Sequence, residues 1–262
     1  MTKINIIDIG SVGGLEKPWN MHNNAIDYSL SFEPNETLLK GKHLKYDCAV
    51  WNYDGEAKFY VSGSNGTGSS LLKQNFDWVR ENFENIKHAG NQQLNFSWFD
   101  RSLIKDEFLC QVRKLDTILE DLGTSLERPI PFHFLKSDTQ SGEFFVLKGA
   151  KKYISTDCLG LDLELFRYPL YEGLITEKEV KMYLKELGFY VAGHTGYRNS
   201  FNASSDYLFL RENPRNDEEK KIVSQILKIY QPKGKEKIIK YRTVYQRFVS
   251  KLKSLKQPLA HN

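Results

Sequence analysis

The chain has 262 residues and a formal net charge of +4 from 37 basic and 33 acidic side chains, enough length for one α/β domain with additions and a core that needs no disulfide or structural metal. No run approaches the ~20 apolar residues of a membrane span, and no basic lead followed by an apolar stretch marks a signal peptide. Cys48, Cys110 and Cys158 are scattered without C-x-x-C spacing and read as small buried hydrophobes, so a soluble, cytoplasmic protein is expected.

In chain order, the first strand and turn run from Ile4 to Gly14: an apolar, β-branched run ends in an acid, Asp8, just where the strand runs out, and a bend rich in glycine (Gly10, Gly13, Gly14) follows. This predicts a buried parallel strand that turns sharply beneath a ligand. Ile26 to Phe32 is a second strand ending in Glu33-Pro34, and Tyr46 to Trp51 a third. Asp54-Gly55 is a tight-turn signal, and Ala57 to Ser62 is expected to form a hairpin with the third strand. Residues 62–70 are a loop of small polar residues, either a plain linker or a lid beside a cofactor. Residues 73–108 carry scattered aromatics without periodicity and read as an insertion that covers the active site or holds acceptor.

Leu109 to Leu115 reads as a strand, and Asp116 to Leu122 as a short helix with an acidic cap. Phe132 to Ser137 is a strand and Ser141 to Ala150 a helix; Cys158 to Leu165 is another strand. Thr176 to Leu187 is a helix with Thr176 as N-cap and Gly188 as its stop. Phe189 to His194 and Asp206 to Leu210 form an antiparallel edge hairpin. Alternating strands and helices imply a mainly parallel sheet.

The glycine turn and Glu33, about twenty residues beyond it, together suggest an adenosine-bearing cofactor, because an acid at that distance accepts hydrogen bonds from ribose hydroxyls. The nicotinamide fingerprint G-x-G-x-x-G is not matched: Val12 stands where its second glycine makes room for pyrophosphate. Asp8, two residues before Gly10, repels phosphates but suits a ligand with an amine and a sulfonium, which S-adenosylmethionine (SAM) carries. Taken alone, the turn could equally be a structural bend.

The chain resembles the FkbM-type SAM-dependent methyltransferases. The resemblance rests on IIDIGSVGG (6–14), SFEPN (31–35), GSSLL (68–72), KLDTIL (114–119), FLKSDTQSGEFFVLKGA (134–150), LDLEL (161–165) and YLKELGF (183–189). Its most specific part is LKSDTQSGE followed by VLKGA. Members usually carry glycine and then a small residue where this chain has Ser141-Gly142. The resemblance implies a Rossmann-like class I methyltransferase fold: a mainly parallel seven-stranded sheet with an antiparallel edge hairpin, over residues 1–212. A basic helical extension occupies residues 213–262. It also implies O-methylation, most often of a sugar or polyketide hydroxyl. Asp8, Gly10, Ser11, Gly13, Glu33, Pro34, Ala49 and Asp138 are assigned to the cofactor, and Ser69, Ser70, Lys136 and Tyr171 to the acceptor side.

Methyl transfer needs an acceptor oxygen held behind the methyl group and a group that takes the hydroxyl proton. Asp138 ends a strand, where it is either a helix N-cap or an active-site acid. Glu164 ends the next strand among leucines, where an unpaired carboxylate is costly, and Asp162 shares its face. Asp138 and Glu164 could together hold Mg²⁺ or Mn²⁺. His194, before a polar loop, is either a general base or a surface histidine. His133 lies between two phenylalanines and reads as interior, and Lys136 is expected to pair with Asp138.

The tail from Asn213 holds thirteen Lys/Arg against four Asp/Glu, a local +9 that leaves −5 for the rest. Asn216 and the acids after it start a helix with Ile222, Val223, Ile226, Leu227 and Tyr230 on one face. A second helix over 237–256 follows Gln231-Pro232-Lys233-Gly234. This pair either packs on its own domain or a partner subunit, as in a homodimer, or lies on an anionic membrane at its inner face. The expected acceptor is a saccharide, as sugar nucleotide or glycan. The alternatives are a nucleic-acid or other small-molecule methyltransferase and a non-catalytic SAM-binding scaffold. No Asp/Asn-Pro-Pro-aromatic motif or Pro-Cys nucleophile supports nucleic acid.

Overall fold

The structure, a computed structural model, describes residues 2–11, 13–34, 43–63, 66 and 68–230. The chain runs through β1 (Ile4–Ile9), β2 (Ile26–Phe32), β3 (His43–Tyr46), β4 (Ala49–Val50) and β5 (Gly55–Ser62). Three helices follow, α1 (Phe76–Ile86), α2 (Gln92–Phe96) and α3 (Trp98–Arg101), then β6 (Ile104–Arg113), α4 (Leu115–Ser125) and β7 (Phe134–Ser137). Next come α5 (Glu143–Gly149), α6 (Lys151–Thr156), β8 (Gly160–Phe166) and α7 (Glu177–Glu186). The described chain ends with β9 (Phe189–His194), β10 (Ser204–Arg211) and α8 (Asp217–Tyr230).

Seven strands form one sheet in the order β3-β2-β1-β7-β8-β10-β9. Only β10 runs antiparallel, between β8 and the edge strand β9. This is the Rossmann-like methyltransferase architecture; β2 and β9 keep their expected bounds, and β1 runs one residue past Asp8 to Ile9.

Strand alternation gives the sheet two unlike faces. Ile7, Ile9, Leu135, Leu161, Leu163 and Leu165 bury into a hydrocarbon core shared with α4, α5, α6 and α7. On the other face Ile4, Ile6, Phe134, Leu208 and Leu210 pack under α8 through Ile222, Val223, Ile226 and Ile229. Each such side chain, fully buried, contributes about 1.5–3 kcal/mol. The described residues between β1 and β2 hold only two short 3-10 turns, so α8 covers a face that a connecting helix would otherwise cover. Tyr230 fastens it: its hydroxyl donates to Asp162 at 2.7 Å and accepts from Trp19 Nε1 at 3.1 Å. The first part of the tail is thus packed into the domain. Its second predicted helix, 237–256, lies outside the described residues.

The third strand departs from expectation. Tyr46 closes β3 in the large sheet, the chain bends at Asp47-Cys48, and Ala49–Val50 joins a separate sheet of order β4-β6-β5. The partner of β5 is β6, not Tyr46 to Trp51, over a register from Gly55↔Val112 to Ser62↔Ile104. The reason lies at Asp54, whose carboxylate accepts from Lys114 N at 2.9 Å and Thr117 Oγ1 at 3.1 Å, tying the turn to the start of α4. Asp116 likewise does not cap its own helix; it accepts from the amides of Lys152 and Tyr153 at the start of α6. Residues 73–108 are mostly helical: α1 to α3 close a third core in which Val79, Ile86 and Trp98 meet Leu170, Tyr171 and Phe201. The α7 start is a full capping box between Thr176 and Glu179. All three cysteines are buried and free. No described helix is long and apolar enough to cross a membrane.

Candidate functional site

The carboxyl ends of β1, β2 and β7, with β4 and β5 opposite, enclose a cleft of about 370 Å³, in the size range of small-molecule sites. Its innermost turn depends on Gly10. There φ is +79°, and a Cβ would sit 2.0 Å from the Asp138 carbonyl oxygen, so nothing larger than hydrogen fits between the two loops. The amides of Gly10 and Ser11 donate to Phe32 O at 2.9 and 3.2 Å, and that of Asp138 to Ile9 O at 3.0 Å. Phe32, Ala49, Val50 and Trp51 make an apolar bed, and Trp51 stacks on Phe145 at 4.4 Å between centroids. The ionisable side chains among the described lining residues are Glu16, Glu33 and Asp138, all acids.

Behind the cleft lies a row of buried charge. Asp8, Lys136 and Asp162 stand opposite one another across β1, β7 and β8. Burial raises Asp8 to about 6 against the pull of Lys136, whose ammonium is 3.5 Å from it. Burial would lower Lys136, but Asp8, Asp138 and Glu16 outweigh it and hold its pKa above the ordinary value. Lys136 therefore pairs with Asp8 and with Glu16, at 3.3 Å, rather than with Asp138. Burial and the neighbouring Asp206 raise Asp162 to about 7.

At the end of β7, Gln140 joins two carboxylates. Its Nε2 donates to Asp138 Oδ1 and to Glu164 Oε2, each at 2.8 Å. The other oxygen of Glu164 accepts from Asn199 Nδ2 and Ser204 Oγ, both at 3.0 Å. Burial, with Asp138, Glu143 and Asp206 nearby, raises Glu164 well above the usual carboxylate range. Gln140 and Ser141 both have positive φ, +52° and +85°, conformations that cost non-glycine residues of order 1–3 kcal/mol each. The loop is held by Glu143, which accepts from Thr139 N at 2.8 Å and Thr139 Oγ1 at 2.9 Å.

A model of the methyltransferase FkbM domain matches residues 16–191. The chain belongs to this methyltransferase family. Among solved structures it is similar to an FkbM methyltransferase from Methylobacillus flagellatus, with 13% identity, a TM-score of 0.44, and coverage of 79% of this chain and 43% of that one. It is also similar to Streptococcus pneumoniae Sp1610, a proposed tRNA methyltransferase, at 10% identity, a TM-score of 0.34, and coverage of 99% and 85%. The chain thus spans less than half the length of the Methylobacillus protein. No curated protein matches it.

The FkbM-type segments converge here. Gly10, Glu33, Pro34, Ala49, Ser69 and Asp138 all line the cleft. Asp8 and Ser11 are buried outside its lining. Gly13, also outside it, has φ of +76° and open space where a Cβ would stand. Ser70 donates to Thr139 O at 3.2 Å, steadying the Asp138 loop. The family's usual glycine falls on Ser141, in the left-handed backbone region that glycine tolerates best, and the helix begins at Glu143 rather than Ser141. Tyr171 lies farther in, its hydroxyl 3.2 Å from Gly68 O and 3.3 Å from Gln140 Oε1.

His194 is set apart. It stacks on Tyr207 at 5.2 Å, accepts from Gly196 N at Nδ1, and is separated from β8 by β10. His133 is half-buried rather than interior; it accepts from Asn5 N at 3.0 Å, and burial lowers its pKa. Among the described residues no cluster of three or more His, Cys, Asp or Glu could hold a metal. An amide N–H occupies the position between Asp138 and Glu164 that a cation would take, so the pair as arranged does not fit Mg²⁺ or Mn²⁺. Gln140 lies inside the LKSDTQSGE segment, yet the sequence assigns it no role. Asn199 and Ser204 carry no local signal, because β10 and its loop bring them to Glu164 only in the fold.

Proposed function

We propose that this chain is a SAM-dependent O-methyltransferase acting on a hydroxyl of a saccharide, as a sugar nucleotide or within a glycan. The observation that carries the cofactor is the sign of the cleft: three carboxylates and no cationic side chain among its described lining residues. Such a wall repels the pyrophosphate of a dinucleotide and attracts an ammonium and a sulfonium. Glu33, at the end of β2, is suited to the ribose hydroxyls, and the bed of Phe32, Ala49 and Val50 to the adenine ring.

SAM, when bound, supplies an activated methyl group. Asp138 lines the cleft and accepts the proton of the incoming hydroxyl, while Gln140 fixes its carboxylate. Glu164, held at a raised pKa, keeps Gln140 in place from behind. Nucleic acid is not the proposed acceptor, since the sequence carries neither an Asp/Asn-Pro-Pro-aromatic motif nor a Pro-Cys nucleophile.

Calorimetric titration with SAM tests the cofactor, and incubation with SAM and a panel of nucleotide sugars and glycans tests the acceptor by a mass gain of one methylene. Glu33→Ala is expected to weaken SAM binding at least tenfold, in line with about 1.5–3 kcal/mol for a charge-assisted hydrogen bond. Unchanged affinity would remove Glu33 from the site.

A further inference from the structure

Beyond Gln140 lies a second cavity, of about 170 Å³. Gln140 and Gly68 line both it and the cofactor cleft, so they form a common wall. That wall is pinned: the Gly68 carbonyl accepts from Gln74 Nε2 at 3.0 Å and from the Tyr171 hydroxyl at 3.2 Å. At less than half the volume of the cofactor cleft, the second cavity is sized for a single ring-sized group.

The lining of the two spaces differs in sign. The second cavity has aromatic and apolar sides, Trp98, Phe166, Leu170 and Tyr171, and neutral hydrogen-bonding groups from Gln74, Gln140 and Asn199. No Asp or Glu lines it among the described residues, and its charged group is Arg101. Arg101 is exposed, donates to Leu94 O at 2.7 Å, Ser200 Oγ at 2.9 Å and Ser97 Oγ at 3.0 Å, and has no carboxylate partner among the described residues. Its guanidinium is therefore oriented by neutral groups, with no carboxylate beside it among the described residues. Planar guanidinium groups pair preferentially with carboxylate and phosphate.

We infer that this cavity is an acceptor subsite: Arg101 holds the phosphate or carboxylate of an anionic sugar there, while the hydroxyl to be methylated extends past Gln140 into the cofactor cleft, where Asp138 lies. The inference rests on the reading of the first cleft as the SAM site. Aromatic walls suit the apolar faces of a sugar ring, and the neutral amides suit its hydroxyls. The anion stays at the exposed mouth, so it need not be buried without a counter-charge.

The test uses the full chain with three probes: UDP-glucose (phosphate-bearing), glucuronate (carboxylate-bearing) and methyl glucoside (neutral). Binding is measured by saturation-transfer NMR titration with and without S-adenosylhomocysteine. At least one anionic probe is expected to bind about tenfold tighter than the neutral one, and which of them does so identifies the anion. Arg101→Gln should reduce the anionic probes to the level of methyl glucoside, with an unchanged thermal melt. Arg101→Lys, which keeps the charge but not the planar fork, should restore only part of the difference. If no sugar binds, if all three bind alike, or if Arg101→Gln changes nothing, the inference fails. Titration with S-adenosylhomocysteine alone separates the two readings: its failure to bind unmodified protein sinks the cofactor assignment, and intact binding beside charge-indifferent sugars sinks only this one.

Discussion

The two faces of the large sheet are built from the same strands and obey different rules. On one, Ile7, Leu135, Leu161, Leu163 and Leu165 form hydrocarbon along the full length of the strands. On the other, the parallel strands begin apolar at Ile4, Ile6 and Phe134 and turn charged toward their carboxyl ends at Asp8, Lys136, Asp162 and Glu164. A residue and its neighbour in β8 thus have opposite duties: Leu163 holds the fold together, and Glu164 holds the site at some cost to it.

The largest expected effect comes from splitting that pair. Leu163→Ala removes a fully buried side chain and should cost about 2–5 kcal/mol in denaturant unfolding. Glu164→Gln should cost less than that, because burial already opposes its charge, yet lower methyl transfer at least tenfold by releasing Gln140. A Glu164→Gln protein as unstable as Leu163→Ala, or one with full activity, would erase the distinction between the faces.

The charged face should also impose a pH dependence. Asp8 and Asp162 are raised from 3.8 to about 6 and about 7, so the folded chain keeps protons that the unfolded chain has released. Their contribution is full below about pH 4 and is lost as pH rises through 7. Melting temperature should therefore fall between pH 5 and 7.5, and Asp162→Asn should flatten that slope. A melt that rises over this range would contradict the burial-raised acids.

The smallest effect concerns the loop that spans the carboxylates. Ser141→Gly relieves a side chain at φ +85° but restores freedom to the unfolded chain, so a net gain below about 1 kcal/mol is expected, read as a slightly higher melt. Destabilisation by more than that would show that the Ser141 hydroxyl, which donates to Gln140 O, supports the loop.

How much of this was legible depended on how local the cause was. The turn itself could be read because Gly10 follows the first strand and Glu33 stands at a fixed spacing beyond it, and both line the cleft. Asp8, expected to face the ligand, is instead buried outside that lining beside Lys136. Helix α7 could be read because Thr176 and Glu179 cap it three residues apart. Tyr46 to Trp51 could not: it is one apolar run in sequence, but Tyr46 and Ala49 answer to different sheets. The aromatics of 73–108 lacked periodicity because their partners, Leu170 and Phe201, arrive from far along the chain. Asp138 and Glu164 were found as separate strand ends; the amide that joins them was not, since glutamine carries no charge to draw notice. Lys136 was matched to the acid nearest in sequence, whereas register set Asp8 directly opposite it.

The placement of α8 has a consequence for how the protein is made. Ile4 and Ile6 are made long before the helix that covers them, which begins only at Asp217. Synthesis proceeds at about 5–20 residues per second, so that half of the sheet waits on the order of ten seconds or more without its cover. Over that interval the opposite, hydrocarbon face can close with elements already made. The charged carboxyl ends on the waiting face, costly once buried, then help to keep the nascent sheet in solution.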